Sequence, residues 1–321
     1  MVNIQEFPPK YVREDLLILR EDLDRHIPAK KLDQNLLIAT WNIRAFGDVT
    51  LKWKSRNGDS PKRDLQSVLS IAEILSRFDV IAIQEVKANI RALKETLKIL
   101  GNHWGLILTD VTQGASGNGE RMAYVFDTRR VQLSGLACEL VVPKEELRKI
   151  GKDALREQFA RTPYAVGFRI GKKTFVLVTL HILYGKNKKD RIPELKSIAR
   201  WLAKWGKDKN AYDSNLIGLG DFNIDKRGDL LHETFISEGL SIPPDMQMAT
   251  RSIFDETKYY DHIAWFNGSN GTPRLDLEYL RGGNYDFVGT ALAGRDLTKQ
   301  ELSWRMSDHY PLWAEFATER M

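Results

Sequence analysis

The sequence has very little cysteine, since Cys138 is the only one among 321 residues. A single cysteine excludes an intrachain disulfide, so we expect the chain to work in a reducing compartment such as the cytoplasm. The first residues lack the basic-then-apolar pattern of a secretory signal. Because no apolar run approaches the ~20 residues needed to cross a bilayer, we also expect no membrane span.

Internal repeats are missing, and so is any linker rich in proline, glycine or serine. Residues 36–321 are therefore predicted to form one domain. Residues 1–35 precede it as an extension, in which loosely helical apolar spacing between Glu14 and His26 predicts a helix that Pro28 stops. These features leave the oligomeric state open.

Charge of one sign is not in strong excess. The chain has 48 Lys+Arg against 43 Asp+Glu, a formal net charge of +5 and a pI of about 9.1. This surplus favours polyanionic partners only weakly, so the place where basic residues cluster matters more. Five basic residues surround Trp53 in the loop 52–63: Lys52, Lys54, Arg56, Lys62 and Arg63. The pattern fits a solvated loop or a loop that follows phosphates while the indole stacks on a base.

Strand-like apolar runs alternate with stretches of helical spacing along the chain. The strand-like runs lie at 36–44, 79–86, 104–109, 122–126, 164–170, 174–183, 216–221, 259–266 and 307–316. Helical spacing is found at 64–78, 90–100 and 192–205, and a glycine-rich loop at 113–121 and a loop-to-helix stretch at 143–159 interrupt the pattern. This mixed order predicts a layered α/β domain of two packed sheets with helices outside.

Polar side chains stand at the ends of several of these runs. They are Asn42, Glu85, His181, Asp221, Asn223, Asp261, Asp308 and His309. If the ends meet, four carboxylates repel one another unless a cation lies among them. An oxygen-rich set without cysteine suits Mg²⁺, with Mn²⁺ or Ca²⁺ as alternatives. A histidine paired with an aspartate can act as a general base, whereas His262, which alternation turns away from Asp261, is interpreted as structural.

Five ordered motifs carry a family resemblance. They are Asn42-Ile-Arg-Ala-Phe-Gly, Asp79-Val-Ile-Ala-Ile-Gln-Glu-Val, Gly220-Asp-Phe-Asn-Ile-Asp, Tyr260-Asp and Ser307-Asp-His-Tyr-Pro. In order and spacing the chain resembles the endonuclease/exonuclease/phosphatase superfamily, and most of all its deoxyribonuclease I-like branch. The resemblance implies a four-layer α/β sandwich, in which two packed mixed β-sheets are flanked by helices.

The same resemblance implies a role for each matching residue. Glu85 and Asp308 would hold the metal ion with Asn42 close to it. His309, paired with Asp261, and His181 would be the catalytic imidazoles. Glu120 would orient His181, while Asp221 and Asn223 would position the attacking water and the phosphate. It also implies that Arg44 and Arg161 face the nucleic-acid backbone. The basic loop is a departure from the family, and from the residues themselves we further expect Arg121, Trp53, Lys52, Lys54 and Arg56 to face nucleic acid.

These observations favour a metal-dependent phosphodiesterase, and within that class a nuclease acting on DNA. The alternative is a phosphatase or a phospholipid or inositol-phosphate phosphodiesterase of the same superfamily, which would not need the basic loop. A nucleic-acid-binding protein with an inert site is a third hypothesis. It is disfavoured because every catalytic position of the motifs is filled.

Overall fold

The computed structural model describes residues 2–111, 119–141, 159, 161–248, 252–254 and 256–318. Most of the predicted glycine-rich loop at 113–121 lies outside these residues. The predicted loop-to-helix stretch at 143–159 also lies outside them, except for Phe159. Among the described residues, twelve strands form two sheets of six strands each.

Sheet one has the strand order β11-β12-β1-β2-β4-β3. Its strands are β1 (Asn35–Phe46), β2 (Val80–Lys87), β3 (Trp104–Leu108), β4 (Glu120–Asp127), β11 (Glu278–Asn284) and β12 (Leu312–Ala317). The sheet is mixed, because β1 and β2 are parallel while the other pairs are antiparallel. The two inner strands β1 and β2 are those whose ends carry Asn42 and Glu85.

Sheet two has the order β5-β6-β7-β8-β10-β9. Its strands are β5 (Gln132–Glu139), β6 (Tyr164–Ile170), β7 (Lys173–His181), β8 (Leu216–Asp221), β9 (Leu240–Ser241) and β10 (Asp261–Phe266). Strands β6 and β7 form the predicted antiparallel hairpin, and β7 runs parallel to β8. The sequence did not predict β5 or β11, because their half-exposed faces leave no continuous apolar run.

Helices cover the outer faces of both sheets. On sheet one these are α1 (Lys10–His26), α2 (Leu65–Leu75) and α3 (Arg91–Leu100). On sheet two they are α4 (Ile192–Lys207) and α5 (Leu230–Ile236). The short helices α6 (Pro244–Met248) and α7 (Lys299–Ser303) lie in connecting segments. Alternation along β1 shows the layers, because Leu36 and Ile38 pack between the sheets while Leu37 and Ala39 pack under α2. The predicted four-layer α/β sandwich is confirmed.

Helix α1, in the extension, packs tightly onto the helical layer of sheet one. Leu19 and Leu23 are fully buried in the same core cluster as α2. Asp15 accepts hydrogen bonds from Gln66 Nε2 (2.6 Å) and Gly294 N (2.8 Å). These contacts join the beginning of the chain to segments much later in the sequence. No helix in the described part of the chain is long and apolar enough to cross a membrane.

Candidate active site

The centre of the candidate site is a row of side chains across sheet two. Strand register aligns His181 of β7 with Asp221 of β8, and Asp221 with Asp261 of β10. Gly220 precedes Asp221 with φ +139°, and a Cβ there would lie 2.0 Å from the carbonyl oxygen of Leu180. Only glycine allows β8 to approach β7 this closely, and this approach sets the row.

Two histidines converge on one carboxylate oxygen of this row. His181 Nε2 lies 3.7 Å, and His309 Nε2 4.0 Å, from Asp221 Oδ2. His309 Nδ1 donates a hydrogen bond of 2.7 Å to Asp261 Oδ2. Among the described residues, Asp221, Asp261 and His309 are the group whose potential ligand atoms lie within 4.8 Å of one another. Since Asp261 already holds His309 Nδ1, we interpret the group as a paired histidine beside a second carboxylate.

Sheet one meets this row through Asn42. Its Nδ2 donates to Asp221 Oδ2 (3.0 Å), which fixes the orientation of the amide. The other end of the amide, Oδ1, is buried and has no hydrogen-bond partner among the described residues. A buried oxygen without a donor is costly. A divalent cation bound to Asn42 Oδ1 would satisfy this oxygen, so the amide fits the predicted metal site.

Glu85 and Asp308 lie beside the turn Arg44–Ala45, which follows Asn42 in strand β1. Glu85 Oε2 accepts from Ala45 N (2.9 Å), and Arg44 Nη1 lies 3.9 Å from Asp308 Oδ2. Ala45 and Glu85 both have left-handed backbones, with φ of +46° and +60°. Such strain in residues other than glycine is typical of functional sites. The three predicted metal ligands therefore lie at one end of sheet one.

Asn223 also has a left-handed backbone, with φ +50°. Its N–H donates to Asp221 Oδ1 (2.9 Å), and its side-chain Nδ2 donates to the Ile182 carbonyl (2.7 Å). The turn after β8 therefore folds back on Asp221. The structure brings Asn223 together with Asp221 through this turn, and the side-chain bond ties both to the end of β7.

Ser307 and Trp41 hold the predicted site residues in place, although the sequence analysis assigned neither a role. Ser307 Oγ donates to the Asn42 carbonyl (2.6 Å) and accepts from the backbone N–H groups of Arg44 and His309, both at 3.1 Å. Trp41 Nε1 donates to the His309 carbonyl (2.7 Å). The end of β1 and the segment before β12 are therefore locked together.

Glu120 lies beside His181 but is saturated by cations. Arg161 Nε and Lys87 Nζ donate to its two carboxylate oxygens at 2.5 and 2.8 Å, while His181 Nδ1 is 3.6 Å away. The sequence analysis missed Lys87. Simple alternation could not have placed it, because the register of β2 shifts between Ile83 and Val86, where Glu85 has a left-handed backbone.

The two histidines have opposite electrostatic environments. Burial, together with the charges of Arg161, His309 and Lys87, holds the pKa of His181 well below its usual 6.5. Burial also opposes the charge of His309, but Asp261, Asp221 and Asp308 outweigh it and raise the pKa of His309 to about 10. Burial and the neighbouring Asp261 raise the pKa of Asp221 to about 6. In the metal-free protein at neutral pH, the site thus pairs a neutral imidazole with a charged one.

Comparison with known proteins identifies the family. The model of the Endonuclease/Exonuclease/phosphatase family matches residues 39–309. The chain belongs to this family. The resemblance found in the sequence is therefore confirmed, and family members typically use divalent metals.

Named relatives fall on both sides of the nuclease–phosphatase division. A deoxyribonuclease from Thioalkalivibrio sp. (strain K90mix) is 26% identical over 298 residues, which cover 88% of this chain and 71% of that protein. The human Nocturnin catalytic domain has a TM-score of 0.58 at 16% identity, with 90% and 96% of the chains covered. A mannosyl-6-phosphatase of Bacteroides thetaiotaomicron has a TM-score of 0.57 at 19% identity, with 88% and 99% covered. The two structures support the fold alone.

The basic loop of this family member differs from the sequence prediction at two residues. Trp53 is only 9% exposed and packs into the core beneath sheet one, so the prediction that it stacks on a base is wrong. Arg63, 2% exposed, donates to the carbonyls of Arg44, Ala45, Arg305 and Met306 at 2.7–3.0 Å. These carbonyls attract the guanidinium inward, because they would otherwise lack donors in the core.

Other basic residues of the loop remain at the surface. Lys54 and Arg56 are exposed, while Lys52 pairs with Asp59 (2.7 Å) and Lys62 donates to the Arg56 carbonyl (3.1 Å). Two of the five basic residues counted in the sequence, Lys52 and Lys62, are therefore bonded within the loop. Lys54 and Arg56 stay available to a polyanion.

The predicted arginines take three different positions. Arg161 joins the site through Glu120. Arg44 lies at the rim, where its guanidinium covers the ring of the exposed Trp304 at 3.6 Å and donates to Ser303 Oγ (2.7 Å). The structure does not bring Arg121 to this cluster, since alternation turns it away from Glu120 and Nη1 contacts the Thr109 carbonyl (3.4 Å). His262 is buried between Phe222 and Phe235, as expected of a structural residue.

Proposed function

We propose that this chain is a divalent-metal-dependent phosphodiesterase that hydrolyses DNA. The observation that carries the proposal is the convergence of His181 Nε2 and His309 Nε2 on Asp221 Oδ2, at 3.7 and 4.0 Å, beside the unpartnered Asn42 Oδ1. Phosphodiester hydrolysis needs a proton taken from water, a proton given to the leaving oxygen and positive charge at the phosphate. These groups can supply the proton transfers, and the oxygen set can hold the charge.

Glu85, Asp308 and Asn42 are the residues that would hold the cation. When bound, Mg²⁺ would polarise a phosphoryl oxygen and offset its developing charge. Hard oxygen ligands are the kind that Mg²⁺ takes, and two carboxylates are within its usual number. Mn²⁺ fits the same set.

The histidines work from fixed orientations. Asp261 holds the Nδ1 proton of His309, which leaves Nε2 directed at the reacting phosphate. Glu120 lies on the Nδ1 side of His181 and leaves its Nε2 on the Asp221 side. Each imidazole can therefore hold or move a proton at Nε2, while Asp221 and Asn223 orient water and phosphate.

Two observations support DNA over a small phosphate ester. The curated relative that covers 88% of this chain is named a deoxyribonuclease. The exposed Lys54 and Arg56 add positive charge near the segment that Arg63 ties to the site. A sugar phosphate or inositol phosphate would be too small to use that loop.

The single cysteine supports a reducing compartment, and we place the activity in the cytoplasm.

A substrate panel with Mg²⁺ tests the proposal. Plasmid DNA, single-stranded DNA, RNA, inositol phosphates and sugar phosphates would be compared at equal phosphate concentration. We expect cleavage of DNA that EDTA abolishes. Preferential turnover of a sugar or inositol phosphate would establish the phosphatase alternative. DNA binding without hydrolysis of any substrate would establish the inert binding protein.

A further inference from the structure

Tyr184 carries an exposed aromatic ring that a buried cation holds in place. The side chain is 55% exposed just beyond β7. The guanidinium of Arg191, which is only 3% exposed, covers the ring with its Cζ 4.2 Å from the centroid. Arg191 Nε also donates to the Tyr184 carbonyl (2.6 Å). The ring is therefore fixed on one side although much of it meets solvent.

One further aromatic ring, that of Tyr260, separates Tyr184 from His309. Tyr184 contacts Tyr260 edge-on, with 6.4 Å between the ring centroids, and Tyr260 lies 5.7 Å from the imidazole of His309. Arg191 Nη1 donates to the Asn223 carbonyl (2.6 Å). One buried arginine thus couples the exposed ring to the turn that carries Asn223.

Two lysines lie near Arg191, the residue that covers this ring. Lys188 Nζ and Lys258 Nζ lie 3.0 and 3.4 Å from the carboxylate of Asp225, which Arg191 also contacts at 3.3 Å. Lys188 is further 3.5 Å from Asp229. Arg191, Lys188 and Lys258 therefore meet at Asp225, and an aromatic face beside basic groups is the arrangement that single-stranded nucleic acid binds.

Exposed tyrosines are common, so exposure alone means little. Tyr212 is similarly exposed at 53%, but its hydroxyl donates to the Ser134 carbonyl at the far edge of sheet two. Tyr184 differs because a buried arginine fixes it and because its contacts lead to His309. A ring held in advance loses little conformational freedom when a flat ligand stacks on it.

We propose that Tyr184 is a stacking platform for the nucleobase next to the phosphodiester that is cleaved. The inference rests on the proposed function, because only a nucleic-acid substrate places a base there. A single-stranded or locally unpaired base offers its flat face to the ring, while Lys188 and Lys258 attract the flanking phosphate. Every base has such a face, so the platform selects for a base without selecting its sequence.

Hydrolysis of a single-stranded oligonucleotide by Tyr184→Ala tests the platform. The same oligonucleotide would also be made with one abasic residue at each position around the cleaved bond. On the intact strand, we expect kcat/KM of the variant to be about tenfold lower than that of the wild type, as for one lost base stack. On the strand whose abasic residue faces Tyr184, the variant and the wild type should have the same kcat/KM. Tyr184→Phe should keep activity, and Tyr212→Ala is the matched control at an equally exposed tyrosine.

Two outcomes would overturn the platform alone: no loss on the intact strand, or the same loss at every abasic position. Both leave wild-type nuclease activity intact, so they are distinguishable from failure of the proposed function. If the wild-type protein cleaves no nucleic acid, function and platform fall together. As a second measurement, 5-iodouracil placed at the facing position should photocrosslink to Tyr184 in EDTA, and crosslinking elsewhere would also reject the platform.

Discussion

The two sheets contribute different side chains to one candidate site. Sheet one brings Glu85 and Asp308, carboxylates that are partly open to solvent and lie beside a strained turn. Sheet two brings His181, Asp221 and Asp261, which are buried in one row. In the proposed function, the cation is therefore held at the end of sheet one, whereas the proton transfers use sheet two together with His309, which follows Asp308. A variant should therefore be able to weaken cation binding without changing the histidine titrations, or the reverse.

Within the proton-handling layer, the two histidines should titrate on opposite sides of neutrality in the metal-free protein. The pKa of His309 is raised to about 10, a proton affinity more than ~10³-fold above that of an ordinary histidine. The pKa of His181 lies well below 6.5. A ¹H–¹³C NMR titration of the imidazole rings in EDTA measures both, and two midpoints near 6.5 would contradict the electrostatic picture.

Stability should follow the same titration. Because the folded pKa of His309 is raised above the unfolded 6.5, its stabilisation is fully present below pH 6.5 and lost as pH rises through about 10. Urea unfolding across this window measures the change. Asp261→Asn removes the charged partner of His309, so it should reduce the pH dependence.

Breaking the cation layer should remove most of the activity. Glu85→Gln or Asp308→Asn is expected to lower turnover by more than ~10²-fold, because loss of an outer-shell partner already costs ~10–10². Mg²⁺ binding, measured by calorimetry, should weaken in step, while the two histidine titrations should remain on opposite sides of neutrality. Full wild-type turnover in EDTA would remove the cation from the mechanism.

The reverse experiment uses the histidines. His181→Ala and His309→Ala should each lower kcat by at least ~10²-fold, the scale of a positioned acid or base. Their combined loss should be smaller than the product of the single losses, since both act on one transition state. Calorimetric Mg²⁺ affinity should change little. Near wild-type turnover of His181→Ala would assign the chain to a branch without a histidine there.

Arg63 should affect the cation layer at a distance. Its guanidinium fastens the turn Arg44–Ala45 to the segment before Asp308 through four carbonyls. Arg63→Met should raise the Mg²⁺ concentration needed for half-maximal activity by about tenfold, as for loss of a supporting contact. Arg56→Met on the same loop is the matched control. A lower melting temperature with unchanged Mg²⁺ dependence would restrict Arg63 to a structural role.

The smallest effect is expected from the exposed loop charges, which lie outside both layers. Replacing Lys52, Lys54 and Arg56 with glutamine should flatten the salt dependence of DNA binding by at most about one unit of slope per phosphate contact. Lys52 should contribute least, because Asp59 already pairs with it. Binding of an inactive Glu85→Gln variant across a salt titration measures this. An unchanged slope would show that the loop does not contact phosphate.

Most of the site was predictable because each group stands at one end of an apolar run. Hydrophobicity and alternation identify where β1, β2, β7 and β8 end, and polar residues at buried strand ends need partners. The meeting of Asn42 with Asp221 across two sheets was available only through the family resemblance. No local pattern in the chain links residues 179 positions apart.

The unpredicted residues are those whose role depends on their surroundings. Arg63 and Arg56 look alike in the sequence, yet one is buried against carbonyls and the other is exposed. The sequence around Trp53 is equally compatible with a stacking group and with a core residue. Tyr184 gave no signal, because its position is fixed by Arg191 and Tyr260, which come from other segments.

The placement of β1 has a consequence for how the chain is made. It is an inner strand that pairs with β2 on one side and with β12, the last strand described, on the other. At ~5–20 residues per second, roughly 15–60 s separate the synthesis of β1 from that of β12. During this interval one edge of β1 has no partner strand and can pair with another chain. Asp15 of α1 also lacks the hydrogen bond that Gly294 N donates to it in the complete protein. Ribosome-bound nascent chains that end before β12 should therefore bind chaperones until the final strand emerges.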